Sequence, residues 1–248
     1  MPKILRSFLI ALHFLTRLPL PVGEISLGEV GRASWAFPAA GMVIGLLLTG
    51  AESVLSHLFA PEVRAALLLA LWIALTGALH LDGLMDCCDA LLSVRSPEER
   101  LEILRDPHTG AFGVAGAITL LLVKYASLAS CLSDGGRSAL FLAPALGRWA
   151  MVYAIVCYPS ARTGGMGRSI KETASRHSLV GATALLLPLF LAYPVEALAS
   201  FAFILTFTVL FARWVMQRIP GFTGDVYGAL CELTETMVVL LTGAWKVR

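Results

Sequence analysis

Apolar residues in this chain come in long, nearly uncharged blocks. Residues 33–51 form a run of 19 without a charge. Residues 65–81 follow after the short break Pro61-Glu62-Val63-Arg64. The block 110–132 is interrupted only by Lys124, and 138–159 only by Arg148. Residues 178–195 and 197–212 are uncharged, the latter extendable through Arg213-Trp214. Residues 226–245 close the series and hold Glu232 and Glu235. Each block is near the roughly 20 residues a helix needs to cross a bilayer. Lipid offers no partner for a free backbone N–H or C=O, so each crossing should be helical. The pattern predicts an all-α, polytopic membrane bundle of about seven transmembrane helices. In the first 20 residues, Ile4, Leu5, Phe8, Leu12 and Leu15 recur at helical spacing among Lys3, Arg6, His13 and Arg17. That suits a helix lying in the interface, or a short extra span. No apolar stretch there reads as a cleaved signal, and no repeat or linker divides residues 1–248, so a single domain is expected.

Composition supports this picture. The chain is 57% hydrophobic and only 15% charged, against roughly 25% charged residues in ordinary soluble domains, and its mean hydropathy is +0.78. A disordered chain and a basic nucleic-acid-binding domain are excluded, so no nucleic-acid partner is expected. The five cysteines, Cys87, Cys88, Cys131, Cys157 and Cys231, contain no CxxC pair and suggest neither a disulfide framework nor a zinc site.

Charge placement sets an orientation. Segments 1–32, 82–109, 161–177 and 213–225 carry 13 of the 19 lysines and arginines; the opposite loops hold only Arg64, Arg137, Lys246 and Arg248. The positive-inside rule puts the first group in the cytoplasm, with the C-terminal Lys246 and Arg248 voting the other way. Trp35, Trp149, Trp214 and Trp245 lie where interfacial anchors belong.

Acidic residues are equally uneven: seven of 17 fall between residues 82 and 106. In His80-Leu81-Asp82-Gly83-Leu84-Met85-Asp86-Cys87-Cys88-Asp89, helix 65–81 is expected to continue, with Gly83 a tolerated weak spot. At about 100° per residue, Asp82, Asp86 and Asp89 fall within about 60° of one another. Three carboxylates on one face at a bilayer rim repel one another unless a cation joins them. Oxygen-only ligands favour a hard divalent ion, Mg²⁺, Mn²⁺ or Ca²⁺. Downstream, Ser96-Pro97-Glu98-Glu99 reads as a helix start. Asp106 can add a metal ligand, Arg100 and Arg105 can meet phosphate, and Gly110 and Gly113 would open the amides of the next span to a ligand.

Three further features fit a polyanionic substrate. Arg148 is a charge inside a span and needs a counter-ion, for which the acidic cluster is a candidate. The loop Arg162-Thr163-Gly164-Gly165-Met166-Gly167-Arg168 is basic and glycine-rich without being a Walker A sequence. Asp225, Glu232 and Glu235 share one helix face, and two glutamates inside a span are costly unless they face a polar cavity; Lys124 could neutralise one or simply snorkel to the interface. His80 and His108 are candidate proton carriers.

With these residues in view, the chain resembles the cobalamin synthase (adenosylcobinamide-GDP ribazoletransferase) family along its whole length. The resemblance is carried by Phe14-Leu15-Thr16-Arg17-Leu18-Pro19, by His80-Leu81-Asp82-Gly83-Leu84 with Asp86 and Asp89, and by Arg100-Leu101-Glu102-Ile103 with Arg105-Asp106. It continues through Gly110-Ala111-Phe112-Gly113, Arg148-Trp149, Gly164-Gly165-Met166-Gly167 and Thr223-Gly224-Asp225. Ala90, Leu104 and Pro107 depart from the usual Gly, Met and Ser, and remove no carboxylate.

The resemblance implies the last assembly step of vitamin B12. Adenosylcobinamide-GDP reacts with α-ribazole or its 5′-phosphate, releasing GMP, with Mg²⁺ as cofactor, in the bacterial inner membrane, at a site facing the cytoplasm. On that reading Asp82, Asp86, Asp89 and Asp106 hold the metal, and Arg105, Arg148 and Arg168 offset charge on the leaving GMP. Asp89 or His80 takes the hydroxyl proton. Arg100, Gly110, Gly113, Gly165, Asp225, Glu232 and Glu235 bind substrate. Membrane lipid, a homo-oligomer or other corrinoid-assembly enzymes are the further partners this reading leaves open. The competing class is a proton-coupled membrane transporter using Lys124, Arg148, Glu232 and Glu235, which would call for inverted repeats.

Overall fold

The computed structural model describes residues 2–133 and 136–244. They form helices and loops, with one isolated bridge between Ser160 and Phe222 among the described residues. Helix α1 (Lys3–Leu15) leads, after a loop, to α2 (Leu27–Ala33), which passes through a 3₁₀ turn (Ser34–Ala36) into α3 (Phe37–Leu55). Then come α4 (Pro61–Thr76), α5 (Leu79–Leu91) and the short α6 (Pro97–Ile103). The long α7 (Ala111–Ser133) and α8 (Ser138–Cys157) follow, and after them α9 (Met166–Thr173), α10 (Arg176–Ala184) and α11 (Leu187–Ala192). The chain closes with α12 (Pro194–Met216) and α13 (Gly224–Ala244). Among the described residues, five stretches are long and apolar enough to cross a membrane, or seven if each of two bent helix pairs counts as one span. The expected all-α membrane bundle is therefore present, with five to seven candidate crossings.

Local chemistry sets the ends. Ser26 and Glu29 form a capping box at α2, and Ser96 and Glu99 another at α6, each satisfying amides that no helical carbonyl can reach. Pro61 and Pro97 open α4 and α6 at the first helical position, where a missing N–H costs nothing. Helix α1 is 13 residues long, about 20 Å, short of the roughly 30 Å apolar core of a bilayer. It buries Ile10, Leu12 and Leu15 and exposes its first turns, as an interfacial helix would. Arg6 pairs with Glu29 at 2.7 Å and ties it to α2.

Three expectations change. Helix 65–81 does not run on through the aspartates: it stops at Thr76, and α5 leaves at 91° to α4. Gly77 (φ 61°) and Ala78 (φ 58°) are both left-handed, which ends a helix by redirecting its last carbonyls to Gly77 N–H and Ala78 N–H. The N-terminal segment holds the turn, because Arg17 N–H donates to Leu75 O at 2.8 Å. Gly83 is not a weak spot either. A Cβ there would lie 2.7 Å from Asp225 O, so glycine allows α5 and α13 to touch backbone to backbone. Residues 178–195, expected as one span, are helical in two pieces, α10 and α11, and Pro194 starts α12 one residue after α11 ends; the 86° bend lies before them, between α9 and α10.

The core is centred on α8 and α13, whose side chains are buried on nearly every face. By contrast, α3, α7 and α12 expose Leu46, Ile118, Leu122, Leu198 and Leu210, the surface a lipid-facing helix presents. Helix α3 meets α8 through Gly41 and Gly45, spaced four apart, which let the two backbones approach. The basic loop segments also converge at one end of the bundle. Arg100 donates to Arg218 O at 3.2 Å, Arg162 to Leu104 O at 3.0 Å, and α2 packs on α9. Trp149 is not an interfacial anchor: it is 3% exposed, packs on Tyr153 and Phe201, and its Nε1–H donates to Thr183. Trp245, Lys246 and Arg248 lie outside the described residues.

A Cβ on Gly41 would lie 2.7 Å from Ala145 Cα, whereas one on Gly50 in the same helix meets nothing within 4 Å. Gly41→Ala is expected to destabilise the folded protein by about 1–3 kcal/mol, and Gly50→Ala to be neutral or slightly stabilising. Thermal unfolding of both variants in one detergent checks this; equal melting temperatures would refute the α3–α8 contact.

Candidate active site

A cleft of about 290 Å³ opens where α5, α8, α9 and α13 meet beneath the glycine-rich loop. The break at Gly77–Ala78 swings α5 so that His80 and Asp82 line this cleft, while Asp225, at the start of α13, faces them. The approach is held by glycines: Gly83 lies on Asp225, and a Cβ on Gly228 would be 3.3 Å from His80 Cα. The segment 160–168, which runs into the first turn of α9, adds Arg162, Gly164, Gly165, Gly167 and Arg168 to the lining. It is fastened to the start of α13, because Ala161 N–H donates to Phe222 O at 2.9 Å and Phe222 N–H to Pro159 O at 2.8 Å. Gly165 takes φ 93°, a left-handed conformation suited to glycine, and opens α9 there.

Charges of both signs meet at this mouth. Arg162 Nη2 is 3.9 Å from Asp225 Oδ2, which also accepts from Thr223 Oγ1 at 3.0 Å. Asp86, one turn beyond Asp82, is within electrostatic reach of Asp225, Asp82, Asp89 and Arg162. Arg168 lines the cleft and pairs with Glu172 at 2.6 Å. Carboxylates, guanidinium groups and glycine backbone gathered at one mouth suit a phosphate-bearing ligand.

Comparison with known proteins fits this arrangement. The sequence model of the cobalamin-5-phosphate synthase family matches residues 7–243. The chain belongs to the cobalamin-5-phosphate synthase family. It is 40% identical over 247 residues to the adenosylcobinamide-GDP ribazoletransferase of Desulfitobacterium hafniense, covering 97% of each chain. It is also 40% identical over 246 residues to that of a Pseudomonas aeruginosa strain, covering 97% of this chain and 98% of the relative. A Roseiflexus protein of the same name is 40% identical over 231 residues, covering 92% of this chain and 86% of its own. No solved structure matches the chain. This member of the cobalamin-5-phosphate synthase family is thus a membrane-embedded enzyme that transfers a group in cobalamin synthesis, and the transporter alternative falls.

In this family member the residues singled out by sequence separate into three places. Asp82, His80, Gly165, Arg168 and Asp225 line the cleft, with Asp86 beside it. Asp89, expected to hold a metal or take a proton, instead receives Gly110 N–H on Oδ2 at 2.8 Å and Gly113 N–H on Oδ1 at 2.9 Å. It caps α7, and in doing so uses the two amides expected to meet a ligand. Arg100 is tied to Ser93 O at 3.1 Å and Arg218 O at 3.2 Å, so its guanidinium staples two loops. Arg105 is exposed and does not line the cleft. Asp106 is exposed on the same loop, and the N–H and the imidazole of His108 hold its carboxyl below the usual carboxylate range.

Arg148, Glu232 and Glu235 do not line the cleft. They form a buried charge cluster beneath it. Lys124 does not snorkel: it is 2% exposed, lies over the Trp72 ring at 4.0 Å, and donates to Glu232 at 3.0 Å and Glu235 at 2.6 Å. The counter-ion of Arg148 is Glu235, not the aspartate row. Two positive and two negative groups, all buried, thus neutralise one another.

Among the described residues, no group of three or more His, Cys, Asp or Glu side chains stands ready to hold a metal ion. Asp82, Asp86, Asp89 and Asp106 are accordingly not gathered into one such group. The oxygen-only donors around Asp82 do fit Mg²⁺ in its usual setting, where one or two carboxylates share the ion with substrate phosphates. The residues that sequence reasoning missed are the apolar wall: Phe14, Phe37, Met151, Ile155 and Tyr227. Met151 and Ile155 lie one turn apart on α8, but Phe14, Phe37 and Tyr227 come from α1, α3 and α13, so no single motif could have announced the wall.

Lys124→Met should leave the two glutamates with less than their positive complement, at a cost of about 3–5 kcal/mol. The expected result is a sharp loss of folded protein, partly restored by adding Glu232→Gln. Equal folded yield for the single variant and wild type, measured by size-exclusion chromatography, would contradict the cluster.

Proposed function

We propose that this chain is an adenosylcobinamide-GDP ribazoletransferase that works by displacement at phosphorus. The observation that carries the reading is the cleft itself, lined by Asp82, Asp225, Arg162, Arg168 and a glycine-rich segment, in a chain 40% identical to enzymes of that name. A hydroxyl of α-ribazole, or of its 5′-phosphate, attacks the phosphorus joined to cobinamide. A new P–O bond forms, the bridging P–O bond of the diphosphate breaks, and GMP leaves with the electron pair. Such reactions need positioning and charge neutralisation more than covalent catalysis.

In this reading Arg162 and Arg168 hold the diphosphate oxygens and offset the charge that builds on GMP, and the amides of the loop 164–167 orient it. Asp82, the exposed carboxylate of the cleft, takes the proton of the attacking hydroxyl. Asp89 is unsuited to that task because both its oxygens accept amide N–H groups. Asp86 and Asp225, the carboxylates beside Asp82, would hold Mg²⁺, which supplies Lewis-acid polarisation of the phosphoryl oxygens when bound. The basic end of the bundle faces the cytoplasm of a bacterial inner membrane, where nucleotide-activated substrates are found.

Purified protein supplied with adenosylcobinamide-GDP, α-ribazole and Mg²⁺ should release GMP and form the cobalamin product, and a chelator should stop it. Asp82→Asn and Asp86→Asn are each expected to lower turnover by about 10²-fold or more at unchanged protein level. Near-normal turnover in both would sink the assignment.

A further inference from the structure

The cleft floor is apolar apart from two buried polar atoms that have no partner. His80 is 1% exposed and Tyr227 3%, both line the cleft, and His80 Nε2 and the Tyr227 hydroxyl find no hydrogen bond within the protein. Around them stand Phe14, Phe37, Leu79, Met151, Ile155 and Ile170. A buried polar atom without a partner is rare and costly, and asks for a ligand group that completes it.

The state of His80 follows from its neighbour. Its Nδ1 lies 3.4 Å from Arg148 Nη2. A guanidinium only donates, so Nδ1 accepts and the ring proton sits on Nε2. Arg148 is held in turn by Glu235, which shares Lys124 with Glu232. The charge cluster therefore presents His80 as a neutral ring with its N–H donor on the unpartnered side.

Resting on the proposed reaction, we infer that this floor is the subsite for the base of α-ribazole, with His80 Nε2–H donating to the free ring nitrogen of its dimethylbenzimidazole. The complementarity is specific. The base is two fused apolar rings with two methyl groups and a single exposed acceptor, and the floor is an apolar wall with a single ring N–H donor. The Tyr227 hydroxyl is left for the ribose. A cleft of about 290 Å³ is at the small end of the roughly 300–1,000 Å³ of small-molecule sites. It suits a nucleoside-sized group and leaves the corrin ring outside. A guanine base would bring several polar groups to a wall that offers them no partners, so the activated nucleotide is kept to the polar rim. His80 is then a donor that reads the base, and Arg148 is its positioning residue.

The test is equilibrium binding to the full chain in detergent, without any corrinoid, comparing α-ribazole with the riboside of 5,6-dimethylindole, in which C–H replaces the acceptor nitrogen. Wild type should bind α-ribazole about tenfold or more tighter. His80→Leu should bring the two ligands within about twofold. Met151→Trp, which fills the floor, should abolish α-ribazole binding and spare that of adenosylcobinamide-GDP. If His80→Leu does not fold, His80→Gln keeps an amide donor and should retain part of the preference; if neither folds, the wild-type comparison decides. Equal affinity of wild type for the two ligands, or unchanged α-ribazole binding by Met151→Trp, overturns the inference. GMP release by wild type is scored separately: turnover without base discrimination sinks only this subsite, and discrimination without turnover sinks only the reaction.

Discussion

Four charges buried between helices govern this molecule. Lys124 on α7, Arg148 on α8, and Glu232 and Glu235 on α13 can stay ionised away from water only in contact with one another. A slip of any of these helices by one residue would turn a charge into an apolar neighbour or into lipid. The cluster therefore sets the register of the three helices. That register lays Gly147 of α8 against Cys231 and Glu235, and Gly228 of α13 against His80. Helix α5 is drawn in along the same line, since His80 meets Arg148.

Above this interior the basic end of the bundle uses its charges differently. Arg100 and Arg162 donate to backbone carbonyls from other segments, so their positive charge fastens loops where no helix continues. Arg162 does this while standing beside Asp225 at the cleft, so the element that closes the loops also prepares the mouth for a polyanion. Asp89, inside α5, acts in the same way with the opposite sign, holding the start of α7 through two amides. Of the aspartates on α5, Asp82 and Asp86 remain uncommitted to backbone capping, and these are the two nearest Asp225 and Arg162.

The cleft is thus a boundary between two environments. Its rim is charged and joined to loops; its floor is apolar and rests on the neutralised cluster. A nucleotide diphosphate and an aromatic base have matching requirements, one for donors and cations and the other for a dry wall. Placing both beside Asp82 brings a hydroxyl and a phosphorus together, which is most of what displacement at phosphorus requires.

Sequence alone determined the membrane character, the approximate number of crossings, the basic end and the aspartate row. Each of these is written in a short window as hydropathy, charge asymmetry or helical spacing. It also held, in residues 80–113, enough to name the family. What it could not hold is which charges meet. Lys124 and Glu235 are 111 residues apart, and nothing local distinguishes a lysine that snorkels from one that neutralises two glutamates. Nor could spacing separate Asp89, whose oxygens are taken by Gly110 and Gly113, from Asp82, whose carboxylate is open, since both share a helix face. The break at Gly77–Ala78 was equally hidden, because the residue that closes on it is distant in sequence: Arg17 binds Leu75 O through its N–H and lays its side chain against Gly77. Local propensity and pattern fix elements; the pairing of distant polar groups, decided by the cost of leaving any of them alone in a dry interior, waits for the tertiary structure.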